Sequence, residues 1–212
     1  MKEEIQEINV CIQRGIFDRR QRQLIIIPDF IQFEDKGYSN SFTKFIGDEI
    51  CEYRYGIKFI KGLEFTIGRE FLIFIRNSSS EILKINFRAF YNIRREESYK
   101  LSDDILRALW KFYFSNIANV FIKEFYEGQE ITVGRALITQ EAIIVSDPGI
   151  LRVDQTVISW EDLATKDYHN YFAIYSSKDA SKINATFSYL NDWNTGVLFS
   201  VVRTILNNRN AS

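Results

Sequence analysis

Apolar and polar residues alternate, or apolar residues run in short blocks, through most of the stretch from Gln23 to Phe87. Period-two alternation and brief apolar runs are the marks of half-buried and fully buried strands. The pattern predicts strands near 23–27, 30–34, 42–46, 49–55, 63–67, 70–76 and 82–87. A helix is predicted next, from about Ser102 to Tyr126, with Ser102 as its cap, Asp103 and Asp104 in its first turn and Gly128 as its stop. Strands are expected again near 131–133, 135–139, 142–146, 150–154, 157–160, 170–175 and 182–188, before a last helix over about 192–206. Its Trp193, Val197, Leu198, Val201, Val202 and Ile205 form one apolar stripe at helical spacing. Residues 2–14 fit two templates. Ile5, Ile8 and Ile12 suit a short helix ending at Gly15, whereas Ile8, Val10 and Ile12 suit a strand; the helix is the expectation.

The order of elements repeats. Gln23 to Asp35 matches Arg135 to Asp147 in pattern, each a strand, a tight polar turn (Pro28-Asp29, Gln140-Glu141) and a second strand. Further along, Ile50 and Tyr53 fall opposite Val157 and Trp160, Phe71 and Ile73 opposite Phe172 and Ile174, and Leu109 opposite Leu198. The offset between the halves shrinks along the chain, and each step falls in a loop-like stretch, where a duplicated fold tolerates insertions. The expected organisation is an N-terminal extension over 1–14, a first repeat over 15–128 and a second over 129–212.

In the second repeat, Val157-Ile158-Ser159-Trp160-Glu161-Asp162-Leu163 resembles the "I-x-W-x-D-I" strand of bacterial pleckstrin-homology-like (PH-like) domains, with its buried Trp at the strand end. Asn184 to Ser188, then Asn191-Asp192-Trp193-Asn194 and the closing helix, is similar to the end of that family's domain. The first repeat departs, with Cys51-Glu52-Tyr53 where the Trp motif would lie. The resemblance spans most of 15–210. It implies an α+β, mainly β protein of two tandem PH-like half-open barrels, each of about seven antiparallel strands closed by a C-terminal helix. A curled sheet of that size leaves an open end that an amphipathic helix can plug. The first closing helix is apolar around much of its circumference, from Ile105 to Phe125. It is therefore expected to be buried on more than one side, plugging the first repeat and touching the second.

Composition narrows the function without naming it. Hydrophobic residues at 46% and aromatics at 15% furnish a core, and 18 Phe and 11 Tyr against 3 Trp suit sheets. The chain has 27 basic and 28 acidic residues, so it lacks the cationic surplus of a nucleic-acid binder, and no nucleic-acid partner is expected. No apolar run is long enough for a signal peptide or a membrane span, and two cysteines are no disulfide framework. A cytoplasmic protein is expected.

Candidate chemistry is sparse. His169 lies alone in a polar turn, without the Cys or His neighbours of a zinc site. Cys11 and Cys51 read as small core residues, and the acidic pairs Glu96-Glu97, Asp103-Asp104 and Glu161-Asp162 as helix starts or loops. No nucleophile-elbow or phosphate-loop motif occurs, so no enzyme, cofactor or metal is expected. Arg19, Arg20 and Arg22 fall where lipid-binding relatives of the superfamily hold anionic headgroups, although Asp18 adjoins them. Guanidinium groups suit phosphates. The expectation is a non-enzymatic binding or scaffold protein with a protein partner. The alternatives are a peripheral membrane or anionic-ligand binder using Arg19, Arg20 and Arg22, and, last, an enzyme without a recognisable motif.

Overall fold

A computed structural model describes the chain except for residues 1–6, 16, 17, 19, 37–40, 92, 94, 149–152 and 211–212. The fold is mainly β, with antiparallel strand pairing throughout the described residues. The chain divides into two compact units, Met1–Ser115 and Asn116–Ser212. Each is described by itself.

The first unit begins with β1 (Ile8–Gln13), β2 (Gln21–Ile26), β3 (Phe30–Phe33) and β4 (Thr43–Ile46), a four-strand meander in chain order. A 3-10 turn, Gly47–Glu49, leads to β5 (Ile50–Lys61), β6 (Thr66–Asn77) and β7 (Ile82–Phe90), a three-strand meander. Helix α1 (Arg95–Leu109) follows, and continues as a π-helical turn, Trp110–Phe114. The second unit has the same strand order. Strands β8 (Ile131–Val133), β9 (Ala136–Ile138), β10 (Ala142–Pro148) and β11 (Val153–Ser159) form a four-strand sheet. Strands β12 (Leu163–Asp167), β13 (Tyr171–Ser176) and β14 (Asn184–Ser188) form a three-strand one. Helix α2 (Ser115–Tyr126) precedes these strands and α3 (Thr195–Asn210) follows them.

Four expectations are corrected. Ile8–Gln13 is a strand and not a helix. Its residues pair with β2 from Ile8 opposite Ile26 to Gln13 opposite Gln21, and the even positions face inward, with Ile12 1% exposed. A neighbouring strand offered the ladder, so period two won over the helical spacing of Ile5, Ile8 and Ile12. The break expected near Gly68 is also absent. A Cβ there would lie 2.8 Å from the Ala89 carbonyl oxygen, so this glycine permits a close approach of β6 to β7 without interrupting the strand. The first long helix starts at Arg95, ahead of Ser102, with Glu96 and Glu97 in its first turn. Strand β12 was missed, because Leu163-Ala164-Thr165-Lys166-Asp167 holds a single large apolar residue.

The core of the first unit is aromatic. Phe71 and Phe87 stack across β6 and β7 with ring centres 5.0 Å apart, and Tyr99 of α1 meets Phe71 edge-on. Ile105, Ala108 and Leu109 of α1 are fully buried. In the second unit Val197, Leu198, Val201, Val202 and Ile205 of α3 are each no more than 1% exposed, which is the predicted stripe without Trp193, a half-buried residue ahead of the helix.

Hydrogen bonds outside the ladders recur at matching places in the two units. The Ile27 N–H donates to the Phe30 carbonyl and the Thr139 N–H to the Ala142 carbonyl, each closing the turn between second and third strands. Gly47 donates to Asp29 as Trp160 donates to Glu141. Ser78 donates to Glu49 as Ser177 donates to Asp162, and Tyr91 to Ile67 as Tyr189 to Asn170. By these bonds Trp160 corresponds to Gly47, so the sequence register that set it opposite Tyr53 is corrected. The chain between the third pair of contacts runs from Glu49 to Ser78 in the first unit but only from Asp162 to Ser177 in the second. The excess lies in the β5–β6 hairpin, whose arms have 12 residues each, against five and six in β12 and β13.

Candidate functional site: the edge of the first strand

Strand β1 is bonded on one side only: among the described residues its ladder partner is β2 alone. An edge strand presents a row of unpaired backbone donors and acceptors, a ready template for another chain. Beside it lies a cleft of about 450 Å³. One wall is β1 itself, with Cys11, Ile12 and Gln13. Phe87, Arg88 and Phe90 of β7 form the opposite wall, and Glu97, Ser98 and Leu101 of α1 the end. Ile12 and Phe87 are buried and make an apolar floor, while Ile93 at the rim is 59% exposed. Arg88 is anchored at 2.9 Å to the Glu70 carboxylate. The arrangement sets the edge of β1 beside a cleft of mixed lining, with Ile12 and Phe87 buried beneath and Arg88 and Glu97 supplying charge.

Cys11 is exposed on this wall, contrary to its expected place in the core. Cys51 is half-buried; its thiol donates to the Arg76 carbonyl at 3.4 Å, and burial pushes its pKa up.

The arginine cluster lies at the turn between β1 and β2. Arg19 falls outside the described residues. Arg22 is 8% exposed, on the inward row of β2 with Leu24 and Ile26. It donates to the Asp18 carboxylate at 2.5 Å and to the Arg20 carbonyl at 3.2 Å. Arg20 donates to the Lys36 carbonyl at 3.0 Å and sits 3.7 Å from the Glu34 carboxylate. Arg14, missed in the sequence because it stands apart from the run, donates to the Asp35 carbonyl and lies over the Phe33 ring. Burial pushes the Asp18 carboxyl up. The Arg20 N–H, the Arg22 hydrogen bond and the charges of Arg22 and Arg14 outweigh it and hold the group below the usual carboxylate range. Asp18 and Glu34 thus supply Arg22 and Arg20 with anions from within the chain. The Nε atoms of Arg14 and Arg22 are nevertheless buried without a hydrogen-bond partner.

The remaining candidates are scattered. His169 is exposed in the turn between β12 and β13. Asp103 pairs with Arg107 and Asp162 with Lys178, whose ammonium is held above its usual range by the Asp162 hydrogen bond. Trp160, just past β11, is 5% exposed and its indole N–H donates to the Thr139 carbonyl at 2.9 Å. Among the described residues no helix is long and apolar enough to cross a membrane.

No protein-family model matches this chain, and no curated protein matches it.

Proposed function

We propose that the chain is built from two PH-like modules and acts as a non-enzymatic binding or scaffold protein, taking an extended segment of a protein partner along β1. The shared strand order of the two units, four strands then three then a helix, favours the PH-like reading. Fold alone does not name a partner. The observation that carries the binding mode is the bonded-on-one-side strand β1 beside an apolar-floored cleft. Strand addition of this kind draws affinity from the main chain and selectivity from alternate side chains.

Cys11 provides the test, because it is exposed on the cleft wall. A random-peptide display library is selected on the purified protein, free or carrying a bulky maleimide at Cys11. The expected result is a family of peptides with alternating apolar residues, whose binding drops at least about tenfold on labelling. Peptides that bind the labelled protein equally well, or no enrichment at all, would reject this mode.

A second reading, anion or lipid-headgroup binding at Arg20 and Arg22, is favoured by the unpartnered buried Nε of Arg22. It requires a ligand to displace Asp18, and its affinity should collapse with added salt, whereas strand pairing should barely respond.

A further inference from the structure

The long β5–β6 hairpin ends in an apolar apex with a cationic collar, and we propose that this apex inserts into the surface of an anionic lipid bilayer. Leu63 is 104% exposed, Phe65 65% and Phe59 52%. Large apolar side chains exposed singly are ordinary, but three gathered on one protrusion mark an interaction surface. The turn that presents them is fixed: the Gly62 N–H donates to the Phe65 carbonyl at 2.7 Å, so Leu63 and Glu64 occupy its corner. A Cβ on Gly62 would come within 2.9 Å of the Ile67 side chain, which keeps the turn narrow.

Charge decides between a bilayer and other apolar partners. From Gly56 to Arg69 the chain carries Lys58, Lys61 and Arg69 against Glu64 alone. Lys58 and Lys61 are exposed, and among the described residues neither is paired with a carboxylate. Arg69 lies over the Phe59 ring at 5.6 Å, which sets cation and aromatic side by side. A cleft of about 450 Å³ flanks the β6 arm, lined by Phe65, Thr66, Arg69 and Tyr91 among others, but Leu63 and Glu64 at the corner of the turn stand clear of it. Leu63 and Phe65 lie at the tip, Lys61 flanks the turn, and Lys58, Phe59 and Arg69 lie further back, an order that matches a bilayer interface with acyl chains within and anionic headgroups without. The corresponding turn of the second unit, Tyr168-His169-Asn170, is polar and short. The apex therefore belongs to the longer hairpin and is not a requirement of the fold.

The test is sedimentation of the full chain with vesicles of phosphatidylcholine alone or with about a quarter phosphatidylserine. The expected result is at least about tenfold stronger binding to the anionic vesicles. Leu63→Asp with Phe65→Asp should abolish it, with the thermal midpoint unchanged because both side chains project into solvent. Lys58→Glu with Lys61→Glu should weaken it and flatten its salt dependence. In a Leu63→Trp variant, lipids brominated on their acyl chains should quench the fluorescence added by the new indole. Failure of the unaltered chain to sediment with anionic vesicles would overturn the proposal. So would binding that survives Leu63→Asp with Phe65→Asp, which would move the contact to another surface such as the Arg20–Arg22 turn. An unquenched Leu63→Trp indole on bound protein would overturn it as well, since the apex would then lie outside the acyl layer. None of these outcomes touches the peptide-selection result at Cys11.

Discussion

The two units meet one structural demand with different residues. In each, the carbonyl that begins the turn between second and third strands faces inward and needs a donor from a buried aromatic side chain. In the second unit the donor is Trp160, which lies just past the fourth strand and reaches the Thr139 oxygen. In the first unit the matching position is Gly47, and the donor is Tyr113 of the π-helical turn, whose hydroxyl reaches the Ile27 oxygen at 2.6 Å. A Cβ at Gly47 would stand 2.8 Å from the Pro28 carbonyl oxygen and 3.4 Å from the Tyr113 ring. Glycine thus vacates space that the tyrosine borders. The comparison teaches that two units of the same strand order can satisfy the same carbonyl with different residues, provided another element supplies the ring and the donor.

The comparison can be broken most directly at the tryptophan. Trp160→Ala removes a side chain packed between the Phe125 ring at 5.7 Å and the Arg209 guanidinium at 5.0 Å, and also takes the donor from Thr139. Its expected cost is about 3–5 kcal/mol, read as a lower urea midpoint. Gly47→Ala comes next. If the glycine is needed for closeness, the variant loses about 1–3 kcal/mol by overpacking; a neutral result would mean that the neighbouring backbone yields. Tyr113→Phe and Trp160→Phe sharpen the claim of shared role, since each removes a donor from a carbonyl, the first with the ring intact and the second with a phenyl in place of the indole. Each should cost about 1–3 kcal/mol, and the tyrosine variant leaves the Ile27 oxygen without this partner. Burial holds the Tyr113 phenol well above its usual range, so it stays a donor across the working pH range.

The smallest effect is a pH dependence confined to the first unit. The Asp18 carboxyl titrates lower in the folded chain than when unfolded. Its contribution to stability is therefore fully present above the ordinary carboxylate pKa of about 4 and is lost as pH falls through the lowered folded value. Asp18→Asn should lower the urea midpoint modestly at pH 7, and the gap from the unaltered chain should close toward pH 2. A gap that stays constant with pH would show that the Arg22 contact is not ionic in its effect.

Much of this was legible in the sequence. The alternation from Gln23 to Phe87 placed the strands of the first unit, and the stripe from Val197 to Ile205 placed the last helix, because both follow from burial of one face. The equivalence of Gly47 and Trp160 was not legible. The two units keep step as far as Gly47 and Trp160, ahead of the hairpin insertion, but glycine offers nothing to match a tryptophan and Tyr53 offers an aromatic further along. Nor did the sequence show the edge cleft. Its walls come from β1, β7 and α1, three stretches whose only common property is their place in the fold, and the spacing of Ile5, Ile8 and Ile12 favours a helix over the strand at β1. The arginine run was visible, but its neutralisation by Asp18 and Glu34 needed the turn to bring those carboxylates back to it.

The bare edge of β1 also bears on how the protein keeps its own company. A strand that can accept a partner's segment can equally accept the same strand of another copy, and because each β1 has one free edge such pairing closes at a two-fold dimer. The chain limits that hazard by brevity, since β1 has six residues, and by polarity, since Asn9, Cys11 and Gln13 occupy its exposed positions. High concentrations without an occupant should therefore favour reversible association over fibres. Solubility would then depend on whether the cleft is filled.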